Sequence, residues 1–191
     1  MKKKTLALFL ALALVLGGVI GGTMAWLTDK TPEIVNTFTD SDIEITLTET
    51  GATNNANSYK MVPGYTISKD PKVTVLEGSE KCYLFVKLEK SENFDSFLTY
   101  EIVDGWTPLD GVDNVYYRIV DTAEMGTAYS VLKNDQVVVQ GTVTKEMMSA
   151  LAEQTYPKLT VTAYASQFNK NADEPFTVNE AWTNISGTSG T

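Results

Sequence analysis

Cys82-Tyr83-Leu84-Phe85-Val86-Lys87-Leu88-Glu89 is the stretch on which the fold class turns. Cys82, Leu84, Val86 and Leu88 fall on one side of an extended chain, and Tyr83, Phe85, Lys87 and Glu89 fall on the other. That period of two belongs to a half-buried β-strand. Leu159, Val161, Ala163 and Ala165 repeat it against Thr160, Thr162 and Tyr164, and Ile43, Ile45 and Leu47 repeat it against Glu44, Thr46 and Thr48. Val73 to Leu76, Phe97 to Val103, Val115 to Val120, Ala128 to Leu132 and Gln136 to Val143 are further strand-like runs. Turn signals separate them at Pro63-Gly64, Asp70-Pro71, Glu77-Gly78-Ser79, Asp104-Gly105, Asp110-Gly111, Asn134-Asp135 and Asn169-Lys170-Asn171. Eight or so short strands at this spacing predict an all-β fold, an antiparallel β-sandwich or jelly roll, over residues 42–185.

Two segments break the alternation. Lys145 to Gln154 consists of good helix formers with Met147, Met148 and Leu151 at helical spacing, and Thr177 with Glu180 fits a capping box ahead of Ala181 and Trp182. Both are expected as short helices at the ends of the sandwich. Between Thr50 and Ser58 the chain is small and polar, which predicts a mobile loop after the first strand.

The amino terminus reads as an export signal. Lys2, Lys3 and Lys4 precede the apolar run Thr5 to Leu16, and a glycine-rich stretch follows, ending at Thr23-Met24-Ala25. Small residues at Thr23 and Ala25 suit a signal peptidase pocket, so cleavage is expected after Ala25, leaving Trp26 as the first residue. An uncleaved anchor is the alternative, because Leu6 to Leu27 approaches the roughly 20 residues that cross a bilayer. Residues 26–41 then form an amino-terminal segment, and residues 186–191 a polar tail without an LPxTG-like sorting motif. The expected location is outside the cytoplasmic membrane, with membrane contact only during export.

Composition narrows the chemistry. With 43% hydrophobic residues in 191, a sizeable core can form. No acidic residue lies among the first 25, whereas three of the 15 basic ones do, so a chain lacking them carries 12 basic against 24 acidic groups, a net of −12. That charge argues against nucleic acid and anionic lipid as partners. There is no histidine and one cysteine, Cys82. Histidine-based zinc sites and Ser-His or Cys-His nucleophile pairs therefore have no base or ligand to use. No catalytic residue, metal ligand set or cofactor is expected. Ser130-Val131-Leu132-Lys133 has the Ser-x-x-Lys spacing of serine acyl-enzymes, but in a strand-like run those two side chains point to opposite faces.

Asp40, Asp42 and Glu44, and the turn Asp110-Gly111-Val112-Asp113-Asn114, offer oxygen ligands without the spacing of a calcium loop. They read as a solvated face and a self-bonded turn. Cys82 alternates with core residues and reads as a buried apolar side chain. Tyr116, Tyr117, Tyr164 and Trp182 suit either a glycan-binding face or core packing.

Three segments carry a resemblance to a known family. The first runs from Gly21-Gly22-Thr23-Met24-Ala25-Trp26-Leu27-Thr28-Asp29 through Asn36-Thr37-Phe38 to Ile43-Glu44-Ile45-Thr46-Leu47. The second is Met61-Val62-Pro63-Gly64-Tyr65-Thr66-Ile67-Ser68-Lys69-Asp70-Pro71, with Val73-Thr74-Val75 and Cys82 to Lys87 after it. The third is Ala163-Tyr164-Ala165-Ser166-Gln167 with Glu180-Ala181-Trp182. Together they resemble the TasA and camelysin (CalY) family of exported matrix proteins of Gram-positive bacteria, processed by the signal peptidase SipW. Asn93 to Tyr156 shows no such likeness.

The resemblance implies a jelly roll, a structural role in biofilm-matrix fibres, self-association, and a dedicated signal peptidase as a partner during export. It also implies that the segment after the signal acts as a donor strand to the next subunit, through Trp26, Leu27, Ile34, Val35 and Phe38. Pro32 interrupts a ladder there, so the paired stretch would shrink to Ile34 to Phe38. An ordinary first strand of its own domain is the alternative. The metallopeptidase label of the camelysin branch does not transfer to a chain without histidine, and a monomeric glycan-binding adhesin is a third reading.

Overall fold

The computed structural model describes residues 42–53 and 57–187, all within a compact unit spanning Asp40–Thr191. The expected export signal with Thr23, Ala25 and Trp26, and the donor candidates Trp26, Leu27, Ile34, Val35 and Phe38, lie outside the described residues.

The described chain is mostly β, in four antiparallel sheets with a few short helices. Its elements are β1 Ile45–Thr48, β2 Thr66–Ser68, β3 Lys72–Val75, β4 Cys82–Lys90, α1 Phe94–Phe97, β5 Leu98–Thr99, β6 Thr107–Pro108, β7 Val115–Val120, β8 Ala128–Ser130, β9 Gln136–Val139, α2 Lys145–Ser149, β10 Leu159–Gln167, β11 Asn169–Asn171, β12 Glu174–Pro175 and α3 Val178–Ser186. The largest sheet has the order β10-β4-β7-β6. Leu159 sits opposite Lys90 and Gln167 opposite Cys82, while Cys82 meets Val120 on the other side.

The sheets β1-β3-β8 and β2-β9-β5 are stitched together. Pro71, which has no N–H to give a ladder, separates β2 from β3. A 3-10 turn at Lys133–Asp135, with Asn134 and Asp135 at positive φ, separates β8 from β9. Backbone bonds cross both breaks, from Val131 N to Pro71 O at 3.0 Å and from Lys69 N to Asp135 O at 2.8 Å. One main core fills the space between these strands and β4: Val73, Val75, Leu84, Val86, Leu88, Val131, Val137 and Val139 are all buried in it.

Beneath the other face of β4 lies a second cluster, which alternation alone does not place. Tyr83 and Phe85 are buried, not exposed alongside Lys87 and Glu89. Helix α3 lies across β10 and β4 instead of at the end of the strands, and brings Trp182 to 5.3 Å from the Phe85 ring and 5.4 Å from Tyr164. Its start is the expected capping box: Glu180 N donates to Thr177 Oγ1 at 3.3 Å and Thr177 N donates to Glu180 Oε2 at 2.8 Å. Lys170, hydrogen-bonded at 2.8 Å, and then Thr177 pull the Glu180 carboxyl down to about 2.

Other boundaries differ for local reasons. Phe97 ends a helical turn in which it and Phe94 bury at i and i+3, so the extended stretch starts at Leu98. Helix α2 is capped by Thr144 and stops at Ser149, and Glu153–Thr155 form a separate 3-10 turn. Asn169–Asn171, read as a turn, forms β11 against β12.

Cys82 is fully buried, and burial pushes its thiol up to about 11. A thiol-specific reagent is therefore expected to leave the native protein unlabelled and to react only as the protein unfolds. Rapid labelling under native conditions would contradict this placement.

Candidate functional site

Among the described residues β1 pairs only with β3, and β10 only with β4. Cα atoms of the two strands come within 8 Å, yet no ladder joins them. Their free edges border a cleft of about 1320 Å³, larger than the roughly 300–1,000 Å³ of ordinary ligand pockets. Ile45 and Leu47 line it from β1, Ile67 from β2, Val137 from β9, and Leu159 to Ala163 from β10. Phe94, Leu98, Met148 and Leu151 extend the apolar lining. Leu47 is 40% exposed because its side of β1 faces this opening and not a closed core.

A polar cluster stands where the chain leaves β1. Glu49 accepts from Lys69 Nζ at 2.8 Å, from Tyr59 Oη at 2.6 Å and from Asn57 Nδ2 at 2.9 Å. Beside it, Asp70 accepts from Thr50 N at 2.9 Å and from Thr50 Oγ1 at 2.8 Å. The described ends of the Thr50 to Ser58 loop, expected to be mobile, are held by Asp70 at Thr50 and by Glu49 at Asn57. Burial works against the Glu49 carboxylate, but the bonds from Lys69, Tyr59 and Asn57 outweigh it and hold its pKa below the ordinary 4.5. Burial, followed by the Glu49 bond, pushes Tyr59 up to about 12, so it stays a donor.

A depressed carboxylate pKa stabilises the fold fully above the unfolded value and ceases to do so as pH falls through the folded one. Lys69→Ala is expected to cost about 1–3 kcal/mol at pH 7, the range for hydrogen bonds to charged groups and their loss. The gap to wild type should shrink below pH 4.5, as Glu49 protonates in both proteins. Urea titrations of the two proteins at pH 7 and in acid measure it, and a gap that widens in acid would refute the assignment.

The remaining sequence candidates fall elsewhere. Lys133 Nζ bonds Glu101 Oε2 at 2.6 Å, and the Ser130 carbonyl accepts from Trp106 Nε1 at 2.8 Å, so Ser130 and Lys133 form no pair. Asp42 Oδ1 accepts from Ile43 N at 2.8 Å. The 110–114 turn has Asn114 at φ 59 and borders a shallow hollow of about 380 Å³. No group of three or more potential metal ligands occurs among the described residues. Tyr117, Tyr164 and Trp182 are packed around Tyr83 and Phe85, and Tyr116 packs on the main core, each half-buried.

Alternation did not single out Glu49, Tyr59 or the cleft. The visible signal was Lys69-Asp70 in the turn segment, whose partners lie some twenty residues earlier. No family model, curated protein or solved structure matches this chain. Among the described residues no helix is long and apolar enough to cross a membrane.

Proposed function

We propose that this chain is a secreted structural subunit of extracellular or biofilm-matrix fibres, assembling by β-strand addition between copies. In this reading residues 1–25 are an export signal removed by a dedicated signal peptidase, and the stitched sheets and the β4 sheet are the two halves of a jelly-roll-like sandwich. The observation that carries the proposal is the cleft bordered by the edges of β1 and β10, which have no strand partner on that side among the described residues and line it with aliphatic side chains. Open edges take up added strands through main-chain hydrogen bonds, and alternate side chains fill pockets. Ile34, Asn36 and Phe38 would face one way and Val35 and Thr37 the other, with Trp26 and Leu27 as outlying anchors.

Donor and acceptor are different surfaces of the chain, which favours linear growth. Just before β1, Leu76 N donates to Glu44 O at 2.9 Å and Glu44 N donates to Ser79 Oγ at 3.1 Å. The Glu49 cluster stands at the other end of β1. A donor segment of one copy added to the acceptor edge of the next would make a heterologous, head-to-tail contact, which builds filaments and not closed pairs. The likeness to the TasA and camelysin family supports the same reading independently. The absence of histidine from the sequence speaks against carrying over the metallopeptidase label.

The test is to purify the chain from Trp26 to Thr191 as a monomer and follow it by light scattering and negative-stain electron microscopy. Regular filaments are expected. A persistent monomer would instead favour an adhesin, for which exposed Tyr59, Tyr65 and Tyr156 offer stacking surfaces. Retention on immobilised polysaccharide would distinguish that case.

A further inference from the structure

The structure has a second place where two sheets end side by side, and it is built unlike the cleft. Strand β6 covers β7 only at Tyr116 and Tyr117, so among the described residues the side of Arg118 to Val120 away from β4 has no strand partner. The side of β8 away from β3 likewise has no strand partner over Ala128–Ser130. Between these two edges stands Arg118, the only arginine in the chain. Its register partner is Leu84, so it points to the core face of the sheet. Its guanidinium lies 3.6 Å from the centre of the Tyr129 ring and 5.4 Å from that of Trp106. Trp106 is held in place by its bond to the Ser130 carbonyl at 2.8 Å. Gly105, at φ +96, passes so close that an added Cβ would stand 3.4 Å from Arg118 Nη2. The Nε of Arg118 is buried without a hydrogen-bond partner.

A native fold keeps a buried orphan donor only where something offsets it. Inward-pointing charges on edge strands are a known protection against edge-to-edge pairing, because an added strand would seal the charge away from water. We propose that Arg118, held between Trp106 and Tyr129, closes the β7 and β8 edges to strand addition by a second copy of this chain, while the β1 and β10 cleft stays open to it. The inference rests on the strand-addition reading and deepens it: with these edges closed, a second copy adds at the cleft and does not branch the fibre at β7 and β8. Ile119, 44% exposed beside Arg118, supplies the apolar surface that such unwanted pairing would use.

The test uses the chain from Trp26, which retains the whole Asp40–Thr191 unit, with Ile34→Asp and Phe38→Asp to silence the donor. On that background Arg118→Gln and Arg118→Lys are compared, with circular dichroism to establish folding. Sedimentation velocity is expected to show at least roughly tenfold tighter self-association for the glutamine variant, with the lysine variant monomeric. Hydrogen exchange should slow at residues 118–120 and 128–130 in the glutamine assemblies. Should that variant fail to fold, Arg118→Met, whose unbranched stem keeps the contact with Tyr129, is compared with lysine instead. A folded neutral variant that stays monomeric, or equal association of the neutral and lysine variants, overturns the proposal. If the chain with its native donor forms no filaments, the strand-addition reading fails separately, and the comparison at Arg118 still decides the gate.

Discussion

Replacing Ile34 and Phe38 together by aspartate is expected to leave the compact unit folded and abolish filament growth. Both positions precede Asp40, where that unit begins, so no residue of its described core is replaced. In the proposed fibre they fill a cleft lined by Ile45, Ile67, Val137 and Leu98 of the next copy, where a carboxylate meets apolar carbon. Leaving a charge buried and unpaired costs about 3–5 kcal/mol. Each substitution should therefore weaken subunit addition by roughly two to three and a half orders of magnitude. Thr28→Asp and Thr31→Asp, which add the same charge outside the paired stretch, should leave filaments intact. Electron microscopy at matched concentration reads the difference, and normal filaments from the double variant would remove the donor role of this segment.

The contrast between the two open edges gives that experiment its meaning. At β1 and β10 the aliphatic side chains Ile45, Leu47, Leu159 and Val161 line the cleft together with charged residues at its border, of which Glu49 and Lys69 neutralise each other at 2.8 Å while Lys60, Glu153 and Lys158 also line it. At β7 and β8 the space is occupied by a cation stacked on two rings. Adding a strand at the first place removes apolar surface from water, whereas at the second it would also desolvate a guanidinium. Selectivity between the edges therefore needs no special loop, only a difference in what each edge would bury.

Strands with one wet face were legible in the sequence because alternation reports burial. β7 runs over Val115–Val120 as expected, and β4 and β10 keep their apolar residues in register. Tyr83 and Phe85 were the limit of that logic. They share a face with Lys87 and Glu89, yet lie under Trp182 of a helix about a hundred residues later. Two large aromatics among the outward positions were the available sign of a second covering layer. β2, β6 and the β11–β12 hairpin are two or three residues long and mostly exposed, so no periodicity marks them. The candidate cleft was illegible for a different reason: it depends on which strands end a sheet, and edges are decided by tertiary pairing, not by local pattern. The Lys69-Asp70 motif was visible, but its work of tying Glu49 and Thr50 belongs to a contact distant in sequence.

Phe85→Ala should be among the most destabilising single changes in the chain. Phe85 is fully buried in β4 and touches Trp182, Tyr83 and Tyr117 with ring centres at 5.3, 6.2 and 6.3 Å. Truncating a buried phenylalanine costs about 3–5 kcal/mol, part lost transfer energy and part the cavity left behind. With a urea slope of about 2 kcal/mol/M, the unfolding midpoint should fall by roughly 1.5–2.5 M. Trp182→Ala removes the cover from the other side. In the double variant the two losses should fall short of additive, by about 0.5–1.5 kcal/mol, because the ring pair is counted in both single changes. Strict additivity would mean that α3 does not rest on β4. The support that the carboxy-terminal helix gives this sheet, and with it one wall of the cleft, would then run through Tyr164 of β10 and not through Phe85.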